Sequence, residues 1–88
     1  MRVVARTEAE IQTNGATVRG WLVDISSSGM AIESTVPVQL AVGAAATVRI
    51  PVLEENGVLP LDGRVRHSSG QRHGIELNDW GRIFKETA

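Results

Sequence analysis

Apolar and polar residues alternate with a period of two along most of this chain, in short runs separated by turn-forming residues. Side chains point alternately to the two faces of a strand, so such runs read as half-buried strands. Thr7 to Thr13 sets Ala9 and Ile11 against Glu8 and Glu10. Asn14-Gly15 follows and is the strongest turn signal in the chain, because a type I′ hairpin turn needs two residues that tolerate positive φ. The next strand spans Thr17 to Ile25, with Trp21, Val23 and Ile25 on one face and Gly20, Leu22, Asp24 and Ser26 on the other. Trp21, Val23 and Ile25 are assigned to the core, which leaves Asp24 and Ser26 pointing outward. Met30 to Glu33 resumes the pattern, with Met30 and Ile32 on one side.

Ser34 to Ala46 holds Pro37 and Gly43 and reads as an irregular crossover, whose Leu40-Ala41-Val42 segment caps one end of the core. Thr47 to Val52 is a β-branched strand with Val48, Ile50 and Val52 in phase. Val58 to His67 reads as a long strand bent or bulged around Pro60 and Gly63. After the turn at Ser68-Ser69-Gly70-Gln71, Arg72 to Leu77 returns with His73, Ile75 and Leu77 in phase. Asn78-Asp79 then caps a short helix from Trp80 to about Glu86, with Trp80, Ile83 and Phe84 on one stripe. Six short strands joined mostly by tight turns predict a small antiparallel barrel or sandwich.

Composition narrows the function. Eighty-eight residues make one domain, and 42% hydrophobic content supplies its core without staples. There are no cysteines, so disulfides and thiolate metal sites play no part. No run approaches the roughly 20 apolar residues of a membrane span, and the N-terminus has no signal-peptide core. A net charge of -1 argues against a general electrostatic hold on nucleic acid or anionic lipid. An anion site must therefore come from a local cluster of arginines. Aromatic content of 3% is too low for a row of base-stacking platforms.

Catalytic patterns are missing. No Gly-x-Ser-x-Gly elbow surrounds Ser26, Ser27 and Ser28, and no phosphate-binding glycine loop or paired-carboxylate constellation is present. His67 and His73 flank a turn, where they can face each other across the strands, but two histidines without a third ligand make a poor zinc site. The chain reads as a non-enzyme with no metal and no cofactor.

Two short patterns carry binding chemistry. Arg2 and Arg6 stand four residues apart before the first strand, about 13 Å in an extended segment and much closer in a bent one. A guanidinium forks onto phosphate and pairs with the O6/N7 edge of guanine. By themselves Arg2 and Arg6 read as a solvated basic terminus. In the second pattern, Asp24-x-Ser26-x-x-Gly29, an outward carboxylate can accept from the N1–H and N2–H₂ groups of a guanine. The serine hydroxyl can bridge to phosphate or ribose, and Gly29 permits positive φ and close approach of a flat base. The same residues also fit a turn that stabilises only its own hairpin.

R-x-x-x-R followed by D-x-S-x-x-G within a small β domain resembles the PilZ family of cyclic di-GMP receptors. The later GRVRHSSGQRHGIEL is similar to that family's closing hairpin, with Gly74 ahead of an apolar strand residue. The resemblance implies a mainly β fold, a six-stranded antiparallel barrel with a short C-terminal helix, formed by residues 1–88 as one domain. It implies that residues 1–6 are a flexible arginine-motif segment wrapping the ligand against the barrel. Arg2 and Arg6 would grip phosphate and guanine edges, Asp24 would read a guanine, Ser26 would bond the ligand backbone, and Gly29 would leave room for the base. Arg2 stands one residue from the start, which fits a domain cut from a longer chain.

The implied function is a conformational switch that relays cyclic di-GMP to an attached effector domain or partner protein. Exopolysaccharide or cellulose synthesis and motility are the implied outputs. The expected setting is the cytoplasm, as a free domain or the cytoplasmic part of a membrane protein, with no DNA or RNA partner and no membrane insertion. The runner-up is an adaptor of the same fold that binds no ligand. A barrel for single-stranded nucleic acid is a distant third, opposed by the charge and the aromatic count.

Overall fold

A computed structural model of the protein describes residues 7–52 and 57–78. Six strands follow in chain order: β1 (Thr7–Thr13), β2 (Ala16–Ile25), β3 (Gly29–Ser34), β4 (Ala45–Val52), β5 (Gly57–Ser69) and β6 (Arg72–Leu77). Every pairing is antiparallel, and the sheet closes on itself in the order β1-β2-β3-β6-β5-β4. A barrel, not a sandwich, is therefore the architecture. Closure depends on the length of β5: its first half pairs with β4 over Gly57–Arg64, its second with β6 over Gly63–Ser69. Pro60 lies in the first half, where β4 is the strand neighbour of β5 and β6 has already ended. A missing N–H is tolerated at such an edge position.

The tight turns follow from local chemistry. Asn14 and Gly15 have φ of 50° and 77°, the pair of left-handed residues that matches a two-residue turn to the twist of its strands. Alternation then fills the interior. Ile11, Ile32, Val48, Val65 and Ile75 from five strands are almost completely buried at the centre. Each such side chain contributes on the order of 1.5–3 kcal/mol through removal from water.

Strand β2 departs from the expected phase. Val18, Gly20 and Leu22 face the core, Leu22 at 4% exposure, while Trp21 and Val23 are half-buried on the other side. The cause is a bulge. Leu22 pairs with Ile32 and Asp24 with Ala31, so Val23 has no partner. One extra residue reverses the parity of all that follows. Ile25 therefore packs against the core as expected, Asp24 points out as expected, and Trp21 and Val23 do not point in.

Strand β5 carries the second bulge, at Arg66 and not around Pro60 and Gly63. Val65 pairs with Ile75 and His67 with Gly74, which leaves Arg66 over; the pairing with β4 through Pro60 and Gly63 is continuous. His67 and His73 consequently do not face each other. His67 is exposed on the outer face, and His73 is buried inside. In the crossover between β3 and β4 Leu40 enters the core and Val38 packs against it, whereas Ala41 and Val42 are exposed. The expected helix from Trp80 to Glu86 lies outside the described residues, as do Arg2 and Arg6.

Candidate functional site

The bulge at Val23 turns the Asp24 carboxylate outward at the C-terminal end of β2. The Ile25 amide donates to Asp24 Oδ1 at 2.9 Å, which fixes the carboxylate beside the turn. Asp24 is exposed and has no ion-pair partner among the described residues. The turn after it is tied by a backbone bond from Ser26 N–H to the Gly29 carbonyl at 2.9 Å. Ser26 Oγ lies 3.2 Å from Ser28 Oγ and accepts weakly from the Ser28 amide at 3.4 Å. A local serine turn is thus present, and it holds the Asp24 carboxylate and a pair of hydroxyls on one rim.

Gly29 is explained differently from the expectation. Its φ is not positive; among the described glycines Gly15, Gly43 and Gly70 take that conformation. A Cβ at Gly29 would instead fall on the Ile75 carbonyl oxygen of β6. The glycine lets β3 and β6 come together at the base of the turn.

Across the barrel surface the register builds a single row. Asp24 of β2 pairs with Ala31 of β3, Ala31 with Gly74 of β6, and Gly74 with His67 of β5. Strands lie about 4.8 Å apart, so the row is about 14 Å long from Asp24 to His67. Its two middle positions carry a methyl group and a hydrogen atom. The His67 ring lies over Gly74 so closely that a Cβ there would collide with it. The result is an open cleft of about 290 Å³, with Ala31 on its floor and the His67 ring covering Gly74. Its two rims are Asp24, Ser26 and Ser28 on one side and Arg66 and His67 on the other. The second bulge places Arg66 here as the first places Asp24.

Arg66 pairs with Glu76 at 3.7 Å, both side chains more than half exposed. Such a pair is weak and screened, so the guanidinium can be recruited by a stronger anion. The chemistry on offer is a flat, sparsely substituted floor for a planar ring, a carboxylate acceptor at one end, and an imidazole and a guanidinium at the other. One arginine beside the Asp24 and Glu76 carboxylates gives this site no net positive charge, so phosphates would need cations from elsewhere. Among the described residues no group of three or more His, Asp or Glu side chains is placed to hold a metal ion.

Of the residues singled out from the sequence, Asp24, Ser26 and Gly29 do meet at one cleft. Arg66, His67, Ala31 and Gly74 were not singled out as site residues. Only the register brings them to Asp24, from positions up to fifty residues away (74 − 24). The D-x-S-x-x-G spacing pointed to this face and not to its far rim.

Comparison with curated proteins finds no match. A profile of the PilZ domain family matches residues 1–83, nearly the whole chain. The matched residues include all six strands and the positions of Asp24, Ser26 and Gly29. The chain belongs to the PilZ domain family, whose members include cyclic di-GMP receptors.

Proposed function

We propose that this chain is a cyclic di-GMP receptor in which the bulged face reads guanine and the arginine segment holds the phosphates. The observation that carries the reading is the row Asp24–Ala31–Gly74–His67. A base lying on Ala31 beside the His67 ring presents its N1–H and N2–H₂ edge to the Asp24 carboxylate, a donor pair that adenine lacks. The far edge of the ligand meets His67 and Arg66, where a guanidinium can fork onto phosphate or onto O6 and N7. Ser26 bonds the sugar–phosphate backbone, and Gly29 holds the turn clear of the base.

The open cleft and its charge balance make Arg2 and Arg6 necessary to this reading. The ligand carries two negative charges, and the described site contributes one arginine against the Asp24 and Glu76 carboxylates. Arg2 and Arg6 supply the missing cations when residues 1–6 close over the ligand. The two states then differ in affinity for cyclic di-GMP, which is what a switch requires. Output passes to an attached effector domain or partner in the cytoplasm, in exopolysaccharide synthesis or motility. No catalytic step is assigned.

Calorimetric titration of cyclic di-GMP into wild type, Arg6→Ala and Asp24→Ala tests this reading. Asp24→Ala should lose about 1–3 kcal/mol, roughly 5- to 150-fold in affinity. Asp24→Asn should lose less, because an amide oxygen still accepts. Absence of heat from wild type at micromolar concentrations would reject the receptor reading in favour of the ligand-free adaptor. Normal binding by Asp24→Ala would remove that residue from guanine recognition.

A further inference from the structure

The row beside the cleft floor carries a second arginine. Ala31 and Gly74 are partners in register, and two residues along the same strands Glu33 is the partner of Arg72. Alternation puts all four on the outer face, because Ile32 and His73 between them are buried in the barrel. Arg72 Nη2 lies 3.9 Å from Glu33 Oε2, with side chains 54% and 41% exposed. Arg66 and Glu76 make the corresponding pair on the other side of the floor, at 3.7 Å. The floor thus runs between two carboxylate–guanidinium pairs, both longer than the roughly 2.8 Å of a charge-assisted hydrogen bond.

The backbone under Arg72 is fixed on both sides. Before it, the Ser34 amide donates to the Gln71 carbonyl at 2.7 Å, and the Gln71 side-chain amide donates to the Ser34 carbonyl at 3.0 Å. After it, the buried His73 ring lies 2.9 Å from Ser34 Oγ and 2.8 Å from Ser68 Oγ. Freedom of movement therefore lies in the Arg72 side chain, three methylenes and a guanidinium. Two residues along a strand cover about 6.8 Å, a length that side chain spans. Released from Glu33, the guanidinium reaches the mouth of the cleft above Ala31 and the His67 ring.

The exchange favours an anion in the cleft. An exposed ion pair of this kind contributes a factor of about 1.5 to 5 and is screened by salt. A phosphate offers the same guanidinium two parallel charge-assisted hydrogen bonds. Glu33, left behind, keeps its contact with water.

We propose that Arg72 is a phosphate-binding residue of the bulged face, held against Glu33 until a nucleotide phosphate takes its guanidinium. The inference rests on the receptor reading above and adds a residue to it. A ligand with two phosphates meets a barrel guanidinium on either side of the floor, Arg66 on one and Arg72 on the other. Glu33 and Glu76 offset these two charges, so Arg2 and Arg6 are still required.

Calorimetric titration of cyclic di-GMP into the 88-residue chain tests the role of Arg72. Arg72→Gln should weaken binding about tenfold, and Arg72→Lys, which keeps the charge, should recover most of that loss. Arg19→Gln removes the same charge from the β1–β2 side, where its side chain is 79% exposed, and should leave affinity unchanged. Glu33→Gln should tighten binding about two- to fivefold in the wild type and not at all in Arg72→Gln. Wild-type affinity in Arg72→Gln, or an equal loss in Arg19→Gln, overturns the inference and leaves the receptor reading standing. Tightening by Glu33→Gln that persists without Arg72 overturns the holding role of Glu33. Absence of binding by the wild type removes the receptor reading and this inference together.

Discussion

The barrel has two outer faces made by the same strands under the same pairing rules, and they differ in what one inserted residue does. On the β2–β1–β4–β5 side the registers run unbroken from Thr7 to Thr13 and from Ala45 to Val52. Rows of long polar side chains cover that side: Thr17, Gln12, Thr47 and Asp62 in one, Arg19, Glu10 and Arg49 in the next. They bond one another, with Thr47 Oγ1 donating to Asp62 at 2.8 Å and Arg19 3.2 Å from Glu10. On the β2–β3–β6–β5 side the bulges at Val23 and Arg66 interrupt the pairing, and the row between them holds only Ala31 and Gly74, the latter under the His67 ring. On the regular face several polar side chains bond one another across the strands. On the bulged face small residues at the centre leave the Asp24 carboxylate and the Arg66 guanidinium on opposite rims of a cleft, with Ala31 on its floor and the His67 ring over Gly74.

This contrast can be broken in graded ways. The largest effect should come from Gly29→Ala, which sets a methyl group on the Ile75 carbonyl and forces β3 from β6. Overpacking against backbone of this kind costs roughly 2–3 kcal/mol, readable as a lower urea midpoint. Gly74→Ala should act on binding more than on folding, because the atom in its way is the movable His67 ring. Cyclic di-GMP affinity should fall about tenfold, or 1.4 kcal/mol, with a stability change smaller than that of Gly29→Ala. The smallest effect belongs to the regular face. Thr47→Val removes an exposed bond to Asp62 and should change stability by no more than about 0.5 kcal/mol, with affinity unchanged.

Much of the regular side was legible in the sequence. Asn14-Gly15 names its turn type, and the alternation of Ala9 and Ile11 with glutamates states both the strand and its buried face. Legibility stops where a one-residue event changes parity. Both alternating sets of β2 contain apolar residues, Trp21 and Val23 in one and Val18 and Leu22 in the other, so hydrophobicity alone does not choose between them. Nothing in the residue types at Val23 or Arg66 marks a bulge. The Asp24–Ser26–Gly29 rim was readable because its members are close in sequence and belong to one turn. Its opposite rim was not, because Arg66 and His67 reach it only through pairings with β6 and β3. The importance of Gly74 and Ala31 lies in having little side chain at a place that only the register defines.

The most direct test is a map of amide chemical-shift changes as cyclic di-GMP is titrated into the chain. If the bulged face is the binding surface, changes should concentrate at Asp24, Ala31, Gly74 and His67, while Gln12, Thr47 and Asp62 remain still. Changes centred on Gln12, Thr47 and Asp62, or none at saturating ligand, would contradict it.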